Sequence, residues 1–283
     1  MQTEPEAVET PSGKGASDEN FPVGSFLLPR RLRPHVAVFY AFARAIDDIA
    51  DNKALRADDK LARLDAMEDA LYGRVEGRAG LEKAYRVRES CLATAVPLDH
   101  CRDLIAAFKQ DAIKLRYADW GELMGYCTKS AAPVGRYLLD LHGESRDGWA
   151  ASDALCNALQ VLNHLQDCQE DYRNLDRVYL PQDWLRAERE TVAALDLPAS
   201  TPGMRRTLDR CIDATDALLV TARELPHRLK SRGLAMESAV IVRLALRLSE
   251  LLKHGDPIAG RVALTKLDFL RCGIIGAAAG ILR

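Results

Sequence analysis

Two segments of this chain have the period of a helix and are apolar nearly all round, yet each carries one narrow row of polar side chains. The first row is Tyr40, Arg44, Asp47, Asp48 and Asp51, and the second is Gln160, Asn163, Asp167 and Asp171. Spacings of three and four residues stack side chains on one helix face. Around them stand Phe39, Phe42, Ile46 and Ile49, and Leu159, Val161, Leu162 and Leu165. A surface helix is polar outside and apolar on one stripe. Here the pattern is inverted, which turns the carboxylates toward the interior. Unpaired buried charge is prohibitively costly, so these rows need partners. Two facing rows of carboxylate and amide oxygens suit hard divalent cations, and Mg2+ completes its octahedron with water and phosphate oxygens. The pattern predicts a Mg2+-diphosphate site between two helices.

The rest of the chain is built to hold such helices. Prolines fall mainly at joints (Pro22, Pro29, Pro34, Pro97, Pro133, Pro181, Pro198, Pro202, Pro226, Pro257), and helical periodicity fills the intervals. Leu61, Leu64, Met67 and Leu71 follow an Asp58-Asp59 start. Further helices are expected over 80–94, 98–117, 119–130, 133–142, 151–173, 204–230, 236–253 and 259–281. Strand-like alternation and internal repeats are lacking. The expected fold is all-α, a single-domain helical bundle around a central cavity spanning 20–283, preceded by a disordered arm over 1–19 rich in Ser, Gly, Glu and Pro. The stretch from Asn174 to Ser200 reads as irregular and directly follows the second row, where a loop closes over a ligand most easily.

An apolar content of 48% over 283 residues supports a large core. The net charge of −2, with dispersed Lys and Arg, argues against nucleic acid as a partner. Seven widely spaced cysteines without a CxxC pair read as reduced thiols of a cytoplasmic protein. The polar N-terminus predicts no signal peptide, and no run reaches the length of a membrane-spanning helix. The run from Cys272 to Leu282, with Gly273, Gly276 and Gly280, reads either as a tightly packed core helix or as a peripheral membrane contact.

Other chemistries lack their residues. There is no GxGxxG and no Walker loop. The Glu-x-x-His match at Glu224 to His227 contains Pro226, so no helical di-iron site is indicated. Of six scattered histidines, only His164 lies inside an acidic row.

Asp47-Asp48-Ile49-Ala50-Asp51 resembles the first aspartate-rich motif of the head-to-head prenyl synthases, which include squalene and phytoene synthases. The run from Gln160 to Asp171 resembles their second motif, and Arg177-Val-Tyr179-Leu-Pro181 the segment after it. The likeness extends through Phe21 to Pro29, Tyr40 and Arg44, Asp111, and Tyr126 to Gly135, most of residues 20–185. Asn163 to Cys168 and Glu19 to Ser25 are similar to the hydroxysqualene synthases of bacterial hopanoid pathways. Two positions differ from the wider family: Gln166 stands where an Arg is common, and Val240 to Leu252 contains no tyrosine.

The resemblance implies that presqualene diphosphate is ionised with Mg2+ and its carbocation captured by water, giving hydroxysqualene. It implies one metal group on Asp47 and Asp51 and another on Asn163, Asp167 and Asp171. Arg44, Arg177 and Lys266 would bind diphosphate oxygens, with Asp48 and Gln160 beside the substrate. Tyr40 and Tyr179 would orient phosphate or stabilise the cation through their ring faces. His164 would position the water or take its proton. Two further readings stay open. One is a related synthase making presqualene diphosphate, squalene or phytoene from farnesyl or geranylgeranyl diphosphate. The other is a non-catalytic prenyl-diphosphate-binding protein that assembles with other enzymes of the pathway.

Overall fold

A computed structural model describes residues 8–11 and 27–281, with side chains as far as residue 276. Its described residues form thirteen α-helices and no β-strand. They are α1 (Arg33–Asp51), α2 (Ala57–Leu71), α3 (Glu82–Thr94), α4 (Asp99–Asp111), α5 (Trp120–Ser130), α6 (Ala132–Leu141), α7 (Trp149–Gln166), α8 (Cys168–Leu175), α9 (Gln182–Ala187), α10 (Pro202–Ala222), α11 (Leu225–Arg228), α12 (Arg232–His254) and α13 (Lys266–Ile281). The expected all-α single domain is what forms.

Local chemistry sets the boundaries. Pro34, Pro133, Pro202 and Pro226 occupy first-turn positions, where no backbone donor is lost. Side chains of Asp119, Thr201 and Ser231 accept backbone N–H bonds at the starts of α5, α10 and α12. Pro226 also explains why the helix expected over 204–230 divides into α10 and α11. The helix expected over 98–117 stops at Asp111, because the next segment pairs elsewhere. The carbonyls of Leu115 and Tyr117 accept from the N–H groups of Val178 and Gln182, both at 2.9 Å. The region from Asn174 to Ser200 is less irregular than expected, since it contains α9 and a 3-10 turn over 192–196.

The core is one continuous cluster that joins α1 through Phe39, Phe42, Ile46 and Ile49 to α7 through Leu155, Ala158, Val161, Leu162 and Leu165. Close helix crossings use glycine. A Cβ on Gly135 of α6 would stand 2.3 Å from Ser152 Oγ of α7.

Two expectations are corrected. Most of the arm over 1–19 lies outside the described residues, but Val8 to Pro11 is docked rather than disordered. Val8 is buried in the core, Thr10 Oγ1 donates to the Asp48 carbonyl at 3.0 Å, and Glu9 pairs with Lys83 at 2.6 Å. One apolar and two polar anchors suffice to order a short segment whose composition suggests disorder. The C-terminal helix also departs from its expected bounds. It starts at Lys266 rather than 259, and Ile274 is 64% exposed.

Candidate active site

An apolar cavity of about 360 Å3 lies between α1 and α7, walled also by α4, α6 and α12. Phe39, Leu104, Leu138, Leu155, Leu159 and Ile241 make up much of the wall. Helix α1 follows it from Val36 to Asp47, roughly 16 Å at ~1.5 Å per residue. Tyr40, Arg44 and Asp47 all face this space, so the first polar row enters it as expected. Sequence reasoning missed four polar exceptions deeper in the wall: Ser130, Ser152, Glu237 and Ser238. Each lies in an otherwise ordinary helical pattern and gives no signal without the fold.

The first row divides into two jobs. Asp48 is buried and accepts from Nε and Nη2 of Arg44, both at 3.0 Å. It holds Arg44 from behind, which corrects its expected place at the substrate: position 48 is off the 47/51 axis. Asp47 lies 3.2 Å from Arg44 Nη1 and turns to the cavity. Burial, and then the neighbouring Asp51, push its carboxyl well above the usual carboxylate range.

The second row crosses the joint between α7 and α8. The helix expected over 151–173 is interrupted at Asp167, but the ladder continues on either side. Asp167 N–H donates to the Asn163 carbonyl at 3.0 Å and Asp171 N–H to the Asp167 carbonyl at 2.8 Å. Asn163, Asp167 and Asp171 therefore remain one column. Asp171 is pushed up to about 8 by burial first, then by Asp167 and Asp51. Asp51 thus acts on carboxyls of both rows, which brings the rows near one another.

The chain after α8 returns to this space. Asp176 adopts a left-handed conformation (φ 52°), which Asp tolerates better than most residues, and Arg177 N–H reaches back to the Asp171 carbonyl at 3.2 Å. Arg177 is buried and fully engaged. It donates to Asp51 Oδ1 at 2.5 Å, to the Ala50 carbonyl at 2.8 Å and to the Asp111 carbonyl at 3.2 Å. Two residues on, Tyr179 donates to Asp111 Oδ1 at 3.0 Å, while Tyr126 donates to Oδ2 at 2.5 Å. Burial raises Asp111 to about 6, against the opposing pull of Arg177 and the tyrosine hydroxyls. Asp111 is thus a hub joining the return segment to α5.

His164 stacks on Tyr179, with centroids 3.5 Å apart and planes inclined by 11°. Gln160 Nε2 sits 3.2 Å from His164 Nε2, and Nδ1 lies 4.0 Å from Asp171 Oδ2. With the amide as donor, the ring carries its proton on Nδ1, facing Asp171. Burial, reinforced by Arg177, lowers the imidazole to about 3. Its ring is therefore neutral.

One expected cation is replaced by another that sequence reasoning did not name. Lys266 is exposed at the start of α13, whereas Arg261 reaches within 3.7 Å of Asp167. Gln166 is buried and donates to the Val262 carbonyl at 2.6 Å.

Among the described residues no three His, Cys, Asp or Glu groups already converge as a closed metal cage. Mg2+ does not require one, since it is usually held by one or two carboxylates with waters and substrate phosphates. Asp47 and Asp171, each raised by carboxylate neighbours, fit a divalent cation, because added positive charge would let them ionise.

A family model described as squalene/phytoene synthase matches residues 15–268. The chain belongs to the squalene/phytoene synthase family. It is 44% identical over 264 residues to a hydroxysqualene synthase of Rhodopseudomonas palustris, covering 93% of this chain and 89% of that one. It is 40% identical to a hydroxysqualene synthase of Zymomonas mobilis, covering 94% and 90%. A solved squalene synthase HpnC from Alicyclobacillus acidocaldarius superposes with a TM-score of 0.72 at 31% identity, covering 82% and 87%. A dehydrosqualene synthase solved with a ligand shares the fold, with a TM-score of 0.73 at 18% identity, covering 91% and 90%. As a member of this family, whose enzymes are typically Mg2+-dependent, the chain presents Tyr40, Arg44 and Asp47 of its first row to the apolar cavity, whose wall includes no residue of the second row.

Proposed function

We propose that the chain is a hydroxysqualene synthase acting on presqualene diphosphate. The observation that carries this is identity of 40–44% across at least nine-tenths of the chain to three enzymes of that name. The geometry agrees, because an apolar cavity with a carboxylate mouth suits a long isoprenoid that ends in diphosphate. Asp47, Asp51, Asn163, Asp167 and Asp171 would hold Mg2+, which neutralises charge developing on a departing diphosphate oxygen. Arg44 and Arg261 add positive charge at that end, and Arg177 would exchange an aspartate for phosphate when substrate binds. Tyr40, and the ring pair of Tyr179 and His164, present aromatic faces to the cation. The carbon–oxygen bond to diphosphate breaks with its electron pair on the leaving group. Water then forms the new carbon–oxygen bond and releases a proton. His164, held by Gln160, would position that water.

A second reading, condensation of two farnesyl diphosphates, is favoured by one observation, the name squalene synthase borne by the Alicyclobacillus structure. A cytoplasmic site, and association with enzymes that supply or consume the C30 intermediates, belong to the same proposal. The deciding experiment incubates purified protein and Mg2+ with presqualene diphosphate, and separately with farnesyl diphosphate, then identifies the products by mass spectrometry. Hydroxysqualene from presqualene diphosphate alone is the expected result. Squalene or presqualene diphosphate formed from farnesyl diphosphate supports the second reading. No turnover of either would reduce the chain to a prenyl-diphosphate binder.

A further inference from the structure

The end of α1 carries its charges in the arrangement that least suits a helix. Asp47, Asp48 and Asp51 fall in or beside its last turn, at the negative pole of the helix dipole, and that turn holds no basic residue. Asp47 and Asp51 are also four positions apart, where like charges on a helix repel. The chain that follows gives little help. Asn52 N–H would serve the Asp48 carbonyl in a continuing helix, but it bonds to Ile49 instead, at 3.4 Å.

Side chains from elsewhere take up the carbonyls of this turn. The Ala50 carbonyl accepts from Lys60 Nζ at 2.7 Å and from Arg177 at 2.8 Å. The Asp48 carbonyl accepts from Thr10 Oγ1 at 3.0 Å. Thr10 belongs to residues 8–11, which touch three helices. Val8 is buried in the core, and its carbonyl accepts from Arg63 of α2 at 3.3 Å. Its backbone passes so near Gly80 (φ 80°) that a Cβ there would stand 3.2 Å from Val8 N. Glu9 pairs with Lys83 of α3 at 2.6 Å. Arg63, Gly80 and Lys83 thus hold the segment from α2 and α3, and Thr10 is where it reaches α1.

We propose that residues 8–11 are a strap that positions the carboxylates at the end of α1 for cation binding, with Thr10 as the positioning residue. The proposal rests on the reading of Asp47 and Asp51 as metal-binding groups. Thr10 differs in kind from the other clamps. Arg177 also holds Asp51 itself, at 2.5 Å, so a metal that takes Asp51 disturbs that clamp. A hydroxyl carries no charge, so Thr10 keeps the Asp48 carbonyl whether the carboxylates are bare or bound. Asp48 in turn holds Arg44, whose Nη1 lies 3.2 Å from Asp47, so the strap steadies both the helix turn and the cation beside it. The family match starts at residue 15, so the strap lies outside the segment that family membership accounts for.

The test compares the full-length wild type with Thr10→Val, which keeps the shape and loses the donor, and with Thr10→Ser, which restores it. Hydrogen exchange in EDTA, read by mass spectrometry, needs neither metal nor turnover. Amides at the end of α1 should exchange about tenfold faster in Thr10→Val, with those at its start unchanged. Melting temperature is then titrated with Mg2+ in the presence of inorganic pyrophosphate. The midpoint Mg2+ concentration should rise about tenfold in Thr10→Val, the lower end of what losing a ligand-orienting bond costs. Turnover at saturating Mg2+ should stay at the wild-type value, so the change falls on the Mg2+ requirement rather than on kcat. Thr10→Ser should return both readouts to wild type. Equal exchange at the end of α1 in wild type and Thr10→Val would overturn the strap. So would faster exchange with an unmoved Mg2+ midpoint, since the segment would then serve the fold alone. A wild type whose melting ignores Mg2+ overturns the metal reading and this proposal with it, and the exchange result in EDTA tells the two failures apart.

Discussion

Arg177→Gln is the substitution whose consequences follow most directly from the geometry. Arg177 is the buried cation that ties the end of α1 to Asp111, with bonds to Asp51, Ala50 and the Asp111 carbonyl. Removing one member of a buried charged pair costs about 3–5 kcal/mol, because the other is left uncompensated. At ~2–4 °C per kcal/mol for a chain of this size, the melting temperature should fall by roughly 6–20 °C in EDTA. The loss should depend on pH in a stated direction. Asp111 is raised from 3.8 to about 6 in the folded protein even with Arg177 pulling it down. A carboxyl raised on folding holds its proton more readily in the native state, so its stability contribution declines as pH rises through the folded value. Without Arg177 that value rises further. Below the wild-type value Asp111 is protonated in both proteins, and its share of the deficit vanishes. The deficit should therefore be larger at about pH 8 than at about pH 5, measured by thermal unfolding with circular dichroism. An equal deficit at both pH values, or a shift under ~2 °C at the higher one, would refute the view that Arg177 balances buried carboxylates.

Asp47→Asn and Asp167→Asn should each lower turnover by about 100-fold or more while leaving the circular dichroism spectrum unchanged, and EDTA should do the same to wild type; full activity under any of these conditions contradicts the metal assignment. His164→Ala should divert presqualene diphosphate from hydroxysqualene toward elimination or rearrangement products, seen in the product ratio. Because His164 is held neutral, with its imidazole at about 3, the wild-type rate should show no step from its titration between about pH 5 and 8. Gly135→Ala would force Ser152 and Cys156 away from a Cβ at 2.3 and 2.7 Å, and both line the cavity. A loss of about 1–3 kcal/mol in denaturant unfolding, with a raised KM for the isoprenoid, is expected.

How much of this was legible in the residues depended on the range of the interactions involved. The two acidic rows, the all-α class and most helix starts follow from spacings of three and four and from prolines and caps, all set within one or two turns. The end of α4 was misplaced because it is decided by residues 178 and 182, which take up the carbonyls of Leu115 and Tyr117. The same pairing makes Asp111 a hub, since it carries Arg177 and Tyr179 back across more than sixty positions. The docking of Val8, and the choice of Arg261 over Lys266 beside Asp167, are likewise tertiary events between residues distant in sequence. Asp48 is a different case. Its offset from the 47/51 axis was readable, and an arginine partner within one turn was the simpler expectation.

The division within the first row also locates where positive charge is lacking. Arg44 fixes Asp48 with two bonds, and Arg177 takes Asp51. Arginines are pre-organised for carboxylates, so these pairs set the position of α1 against the return segment before any ligand arrives. Asp47 and Asp171 are raised by burial first and then by like-charged neighbours, Asp51 among them in both cases. A cation that relieves both must therefore sit within reach of Asp51, where it would compete with Arg177 for the same carboxylate. Arg177 released in that way is already beside the space a diphosphate would occupy. In the proposed reaction, cation binding and capture of the leaving group would then be one rearrangement centred on Asp51, rather than two independent sites filled in turn.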